Sequence, residues 1–376
     1  MTIPFIDLEA QMARIRDGVD RRIAKVLSDG NFISGPEVVE FEQALARFAG
    51  VEHVISCANG TDALQLALMA LNVGPGDAVL CPSFTFAATA EAVALVGATP
   101  VFVDVDRQSF NICPASLART LASAALDELR VVGVIAVDLF GAAADYDAIH
   151  AAVAERGLWV MSDSAQGLGC QYNGLSGASV CKITTASFFP AKPLGCYGDG
   201  GAVLTTDAGL ASLVESLRIH GKGAHKYENA RIGMNSRLDT IQAAILLEKL
   251  SIFESEIVAR NTVAARYNEA LGDVIDVPQV SQDSRSIWAQ YTLTCRDGQH
   301  REAIMQTLQD DGIPTAVYYP KPLHQQQAYA HFPRDPEGLS VSEALSANVF
   351  SLPMHPYLDP SVQDRIIASV RQATAN

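Results

Sequence analysis

Ser187-Phe188-Phe189-Pro190-Ala191-Lys192-Pro193-Leu194-Gly195-Cys196-Tyr197-Gly198-Asp199-Gly200-Gly201 sets the architecture of this chain. An apolar, strand-like run at 184–188 leads into it, and a second at 201–205 leaves it. The loop between them is rich in glycine and carries one lysine, Lys192. A lysine on such a loop can be partly buried, and burial lowers its pKa by disfavouring the cation. The neutral amine that results can attack an aldehyde and form a Schiff base.

Working outward, short β-branched runs alternate with Ala- and Leu-rich segments. Strands are expected at 53–57, 78–81, 99–105, 131–137, 158–163, 184–188 and 201–205. Helices are expected between them at 61–71, 87–96, 114–125, 146–156 and 210–220. Alternation of this kind predicts an α/β sheet, and continuous apolar strands predict one buried on both faces. From 236 to 271 the pattern turns helical, with Leu246, Leu250, Phe253 and Ile257 at three- and four-residue spacing. Beyond Asp273 the signals shorten to a strand near 289–295, a helix near 301–311 and a Pro-, Tyr- and His-rich loop at 314–329. The expected division is a large domain with an N-terminal arm, 1–250, and a smaller C-terminal α+β domain, 251–376.

A chain of 376 residues, 49% hydrophobic, suffices for a large and a small domain with a substantial core. Its net charge is −15 and no Lys/Arg run is present, so its field repels a polyanion and no nucleic-acid partner is expected. The first residues lack a charged segment followed by an apolar one, so no signal peptide is read. No apolar run reaches the roughly 18 residues of a membrane span. Seven scattered cysteines, without a C-x-x-C pair, suit reduced thiols in the cytoplasm rather than a disulfide framework or a metal site.

Several strand ends carry chemistry. Asp163 closes the run Leu158-Trp159-Val160-Met161-Ser162, where a carboxylate can keep a pyridine nitrogen protonated. Ligands of open α/β sheets gather at such carboxyl ends. Lysine plus aspartate is the minimum protein apparatus for pyridoxal phosphate chemistry. Gln166, three residues on, can hydrogen-bond a phenolic oxygen. Cys57-Ala58-Asn59-Gly60-Thr61-Asp62-Ala63-Leu64 follows a strand and opens a helix, whose free N–H groups can bind phosphate. The plain alternative is a turn capped by Thr61 or Asp62. Phe86, in Pro82-Ser83-Phe84-Thr85-Phe86, can stack on a planar ring or pack in a core. Ser187 can donate to phosphate or simply close a turn, and Asp163 by itself can also cap a helix.

In combination these motifs resemble the DegT/DnrJ/EryC1/StrS sugar-nucleotide aminotransferases. The resemblance runs from Phe5-Ile6-Asp7-Leu8 and Gly35-Pro36-Glu37-Val38 through Asn59–Leu64, Asp163–Gln166 and the Lys192 loop. It continues through Asn235-Ser236-Arg237-Leu238-Asp239 to Tyr318-Tyr319-Pro320-Lys321-Pro322-Leu323-His324 and so spans nearly the whole chain. It implies a fold-type I pyridoxal phosphate transferase, aspartate aminotransferase-like, with a mixed, mostly parallel sheet flanked by helices. The Lys192 loop and the chain end Ser351–Leu358 are most similar to the branch that aminates C3 of UDP-2-acetamido-2-deoxy-3-oxo-glucuronate for O-antigen assembly. Two departures stand out: the usual acidic-Asp-Ala-Ala-Gln strand end reads Ser162-Asp163-Ser164-Ala165-Gln166, and a His-Tyr pair reads Tyr318-Tyr319.

The resemblance implies Lys192 as Schiff-base lysine and general acid/base, Asp163 on the pyridinium, Gln166 on the 3′ oxygen and Phe86 over the ring. It implies Gly60, Thr61 and Ser187 on the phosphate, with Asn235 arriving from the neighbouring subunit of a homodimer with shared sites. Arg237, Tyr319 and His324 are the candidates for the nucleotide sugar, L-glutamate is the expected amino donor, and no metal is expected. The alternatives are amination of a dTDP- or GDP-linked keto-6-deoxy sugar, a sugar dehydratase (which Lys192 opposes, since those enzymes carry histidine there) and a cofactor-binding regulator. From an unrelated class, Ser179-Val180-Cys181-Lys182 is an S-x-x-K tetrapeptide without the companions of a serine acyl hydrolase.

Overall fold

The computed structural model describes residues 3–123, 126–225 and 227–375. The chain opens with two helices, α1 (Leu8–Asp29) and α2 (Pro36–Ala49). Asp7 caps α1 by accepting from the Ala10 amide, and α2 has Pro36 in its first turn. The alternating region then supplies β1 (His53–Cys57), α3 (Gly60–Ala70), β2 (Asp77–Pro82), α4 (Ala88–Leu95), β3 (Thr99–Val103), α5 (Pro114–Leu121) and β4 (Arg130–Val137). It continues with α6 (Tyr146–Val153), β5 (Trp159–Asp163), a two-stranded hairpin β6 (Gln171–Tyr172) and β7 (Leu175–Ser176), then β8 (Ile183–Ser187), β9 (Gly201–Thr205) and α7 (Ala208–Leu217). The last four residues of the helix expected at 114–125 are not helical as far as 123, and 124 and 125 lie outside the described residues.

Seven strands form one sheet in the order β1-β9-β8-β5-β4-β2-β3. β9 runs antiparallel to both neighbours and the other contacts are parallel, a mixed and mostly parallel sheet as expected. Alternate residues go to opposite faces. Val79 and Cys81 of β2 meet α3, α4 and α7, whereas Ala78 and Leu80 meet α5 and α6. This two-sided burial is why the strands lack polar alternation.

α8 (Thr240–Leu271) follows an extended segment, so the helix starts four residues later than the sequence pattern suggested. It runs unbroken through the expected division at 250/251. Its N-terminal portion packs Leu246, Phe253 and Ile257 against Phe41, Leu45 and Phe188, each such burial contributing about 1.5–3 kcal/mol. Its second half packs Val263, Tyr267 and Leu271 into a separate core with β10 (Tyr291–Thr294), α9 (Gly298–Asp310), β11 (Val349–Leu352) and α11 (Pro360–Thr374), whereas α10 (Ser340–Asn348) sends Leu345 to a cluster with Phe84 and Phe140. β10 and β11 pair antiparallel. The chain between α9 and α10 returns to the large sheet, where Leu323 and Leu339 join its core. One helix therefore shares its length between the two cores, and the second core is not a clean C-terminal block.

Candidate active site

Register brings the strand ends together. Cys57, Gly201 and Ser187 are opposite one another across β1, β9 and β8, and Asp163 is opposite Val137 and Thr185. Gly201 makes the approach possible: a Cβ there would lie 2.3 Å from the Asn59 carbonyl oxygen. Gly60 continues the same close packing, since its added Cβ would meet Ser187 Cβ at 2.7 Å. The start of α3 is thus pressed against Ser187. Asn59, not Thr61 or Asp62, is the cap, its side chain accepting from the Asp62 amide at 2.8 Å. First-turn amides have no partner within their helix, so those of Gly60 and Thr61 remain for an anion beside the Ser187 hydroxyl.

Asp163 is 5% exposed at the last position of β5. Thr89 Oγ1 donates to its Oδ2 at 2.9 Å and the Ala165 amide to its Oδ1 at 3.2 Å. Turns rather than a helix follow, so the helix-cap alternative does not hold. Burial raises the Asp163 pKa; Thr89, the Ala165 amide and attraction to Lys192 oppose the rise. Lys192 shows the converse: desolvation lowers its pKa against the pull of Asp163. Its loop is held by the Lys192 amide on the Phe189 carbonyl and the Cys196 amide on the Phe188 carbonyl, both 2.8 Å. A second lysine, Lys249, is fully buried with its pKa lowered to about 8, again by desolvation. It belongs to α8, with its ammonium 4.4 Å from the Tyr197 ring centroid. Depressed basicity alone would favour Lys249; coupling to Asp163 selects Lys192.

The aromatic side is built from separate segments. Tyr319 has its ring 6.2 Å from both Phe84 and Phe86. Phe84 is buried and Phe86 is 57% exposed, so only Phe86 offers a face to a ligand. Gln166 is fixed at both ends: its Oε1 accepts from the Phe140 amide at 2.8 Å and its Nε2 donates to the Tyr319 hydroxyl at 2.9 Å. One N–H of that amide is left for a ligand oxygen. Tyr318 packs 6.5 Å from Phe5, a ring-to-ring place that suits tyrosine. His324 is a correction. It is 3% exposed, and its ring nitrogens are taken up by Ser83 at 2.7 Å and Glu343 at 3.0 Å, so it is not poised to touch a sugar.

Asn235 and Arg237 lie on an extended segment that alternates strictly. Ser236 and Leu238 are buried inward, and Ser236 Oγ accepts from the Ala58 amide at 3.1 Å. Asn235 is exposed and Arg237 half-exposed, with the guanidinium donating to Asn235 Oδ1 at 2.6 Å. The structure therefore anchors this segment beside the anion cup while turning both side chains away from their own chain's interior.

The altered strand end also finds its reason. Ser162 and Ser164 each donate to the buried Asp138 carboxylate at 2.9 Å, and Tyr146 donates to it at 2.7 Å. Burial nevertheless raises Asp138 to about 6. A second acid at 162 would face this carboxylate, whereas two serines satisfy it. Thr89 and Ser83 are the site-side residues that motif reading passed over; Ser83 adjoins Phe84 in sequence, and nothing local marks Thr89. Ser179 donates to the Ser176 carbonyl and Lys182 is exposed, which is no nucleophile–base pair.

A desolvated amine, a buried carboxylate, free helix amides beside a hydroxyl and an exposed phenyl ring are the donor set that pyridoxal phosphate requires, and they fit it. A cavity of about 420 Å³ near Leu129, Val131 and Leu158 lies at the opposite strand ends and holds none of these groups. The family model described as the DegT/DnrJ/EryC1/StrS aminotransferase family matches residues 14–371. A UDP-2-acetamido-2-deoxy-3-oxo-D-glucuronate aminotransferase of Pseudomonas aeruginosa is 47% identical over 95% of this chain and 96% of its own. A UDP-N-acetyl-3-dehydro-α-D-glucosamine 3-aminotransferase of Acidithiobacillus ferrooxidans is 40% identical over 98% and 97%. The crystal structure of a family aminotransferase from Brucella abortus superposes with a TM-score of 0.97 at 51% identity, covering 100% of both chains. Other similar sugar aminotransferase structures are in PLP- and PMP-form.

Proposed function

Because the chain belongs to the DegT/DnrJ/EryC1/StrS aminotransferase family, we propose that it aminates C3 of UDP-2-acetamido-2-deoxy-3-oxo-glucuronate. It is a pyridoxal phosphate-dependent aminotransferase of nucleotide-linked keto sugars. We place L-glutamate as donor and surface-polysaccharide (O-antigen) assembly in the cytoplasm as the setting. Among the described residues no helix is long and apolar enough to cross a membrane. The observation that carries the catalytic reading is the desolvated Lys192 coupled to the buried Asp163. The similarity to the Pseudomonas enzyme carries the choice of sugar.

Pyridoxal phosphate, when bound, supplies an aldehyde carbon that ferries the amino group and a pyridine ring that withdraws electrons as a proton leaves. Lys192, its basicity lowered by desolvation, takes the proton from the donor carbon and returns one at sugar C3. Asp163 keeps the ring nitrogen protonated, and Thr89 fixes the carboxylate in direction. The Gly60 and Thr61 amides and the Ser187 hydroxyl would hold the phosphate, Phe86 would offer its face to the ring, and the remaining N–H of Gln166 would be available to the 3′ oxygen. Tyr319 borders the sugar. The test is turnover with glutamate and a panel of nucleotide keto sugars; the 3-oxo-glucuronate is expected to lead. Turnover of UDP-N-acetyl-3-dehydro-glucosamine alone would favour a second reading, amination of that neutral sugar, which the Acidithiobacillus relative supports.

A homodimer with shared sites supports this chemistry. Phe86 and Phe189 beside the site and Ile232 on the outward segment are 57, 52 and 89% exposed, more apolar surface than an isolated site needs. Asn235 is proposed to reach the partner's phosphate. Mixing Lys192→Ala with Asn235→Asp then produces dimers with one doubly damaged and one intact site. Roughly a quarter of wild-type activity should return, since half the dimers are mixed and each has one good site of two. Heterodimers without recovery would exclude sharing.

Arg237 is proposed to pair with the sugar carboxylate, because a carboxylate leaving water needs a charged or amide-rich partner. Arg237→Leu should weaken transition-state binding of the uronate by about 2–5 kcal/mol more than that of the matching neutral sugar. Equal losses on kcat/KM for both would assign Arg237 to the diphosphate or to the fold.

A further inference from the structure

Ser83, His324 and Glu343 form a closed chain of hydrogen bonds outside the chemistry above. Ser83 follows the last residue of β2 and is fully buried; Glu343, on α10, keeps its side chain 49% exposed. His324 Nε2 is 3.0 Å from Glu343 Oε1, and Nδ1 is 2.7 Å from Ser83 Oγ. The His324 amide also donates to Ser83 Oγ at 3.2 Å, and the Leu323 amide to the Ser83 carbonyl at 2.9 Å. A carboxylate only accepts, so Nε2 carries the hydrogen. In the neutral imidazole Nδ1 is then an acceptor and the Ser83 hydroxyl donates to it. Both ring nitrogens and the hydroxyl are matched with the imidazole neutral.

We propose that Ser83 and His324 are positioning residues that fasten the acceptor-side wall of the active site, with Glu343 orienting the imidazole. Phe86 lies three residues after Ser83, and Tyr319 five before His324. The two rings touch across the site, and Tyr319 holds Gln166. A link from the end of β2 to the 318–324 segment therefore fixes the spacing of both rings, although Ser83 and His324 touch no substrate. The inference rests on the aminotransferase reading of the site.

Side-chain chemistry separates the links. Asparagine places an oxygen near the position of Nδ1, so His324→Asn keeps an acceptor for Ser83. Glutamine places a nitrogen near Nε2, so His324→Gln keeps the bond to Glu343 and loses Ser83. In the full-length holoenzyme, Ser83→Ala and His324→Gln should each raise KM for the keto sugar about tenfold while kcat moves about threefold or less. His324→Asn should recover most of the loss. The Ser83→Ala/His324→Gln double variant should be no worse than Ser83→Ala alone, because that change already removes the imidazole bond together with the His324 amide's bond to Ser83 Oγ. Hydrogen exchange over residues 318–326 should accelerate in both single variants. That arm needs no turnover: a wild type inactive on every keto sugar would defeat the functional reading, while the exchange rates would still judge the link. Additive losses, or wild-type KM and exchange in Ser83→Ala, would overturn the proposal. If the buried variants do not fold, Glu343→Ala at the exposed end decides, with faster exchange and higher KM supporting the link and no change refuting it.

Discussion

Lys192→Ala should lose about 10⁴-fold in turnover, the upper range for removal of a positioned acid/base, because among the described residues no neighbouring amine can replace it. Lys249 is held over Tyr197 on another element. Borohydride should fix the cofactor to the parent protein and not to the variant. The fold should not suffer. A lysine whose pKa is depressed on folding gives its full contribution to stability only above its ordinary value of 10.5, and loses it as pH falls. At pH 7 to 8, Lys192 therefore costs the cofactor-free protein stability. Lys192→Met, which keeps the aliphatic stem, should melt at or above the parent, with the gap widening from pH 10 to pH 7. Activity lost together with a lower melting temperature would mean that Lys192 holds the loop rather than the chemistry. Full turnover in the alanine variant would remove it from the mechanism.

The alternating core was legible because parallel strands buried on both faces leave uninterrupted apolar runs. β1 and β9 match their expected spans, and the other five strands begin or end within two residues of theirs. The N-terminal arm was less legible: α1 is polar along most of its surface and buries few residues, among them Ile15, Val19 and Val26. No sequence signal marks the passage from one core to the other at the expected 250/251 division, for a physical reason. α8 carries one continuous helical pattern through two cores, and no composition change marks where it passes from one to the other. Within the site, residues set by the local chain were readable. Asp163 and Ser187 end strands, and Lys192 sits on the loop between two. Contacts made across the chain were not. The Thr89–Asp163 bond spans 74 residues and the Ser83–His324 bond 241, and no spacing rule encodes either. His324 was a sugar-contact candidate only through the resemblance, and here two partners enclose it.

Asp163→Asn should lower turnover by about 10²–10³-fold, the scale for removing one electrostatic partner of a reacting system. The amide fits the space. Its oxygen can accept from the Ala165 amide, and its nitrogen can donate to Thr89 Oγ1, whose hydrogen is then free to turn toward Thr85 Oγ1 at 3.3 Å. What the amide cannot supply is charge, so the ring nitrogen loses the partner that keeps it protonated. Stability should move the other way. Burial raises the Asp163 pKa, so the folded protein disfavours the carboxylate, and that penalty grows as pH rises above the ordinary value of 3.8. The cofactor-free variant should melt no lower than the parent at pH 8, and any advantage should shrink as the solution is acidified toward pH 4. Melting curves across that range, set beside kcat, separate the two roles. A structural carboxylate would lose stability and turnover together, whereas a ring-nitrogen partner loses turnover alone, and the variant should still bind the phosphate of the cofactor through Gly60, Thr61 and Ser187.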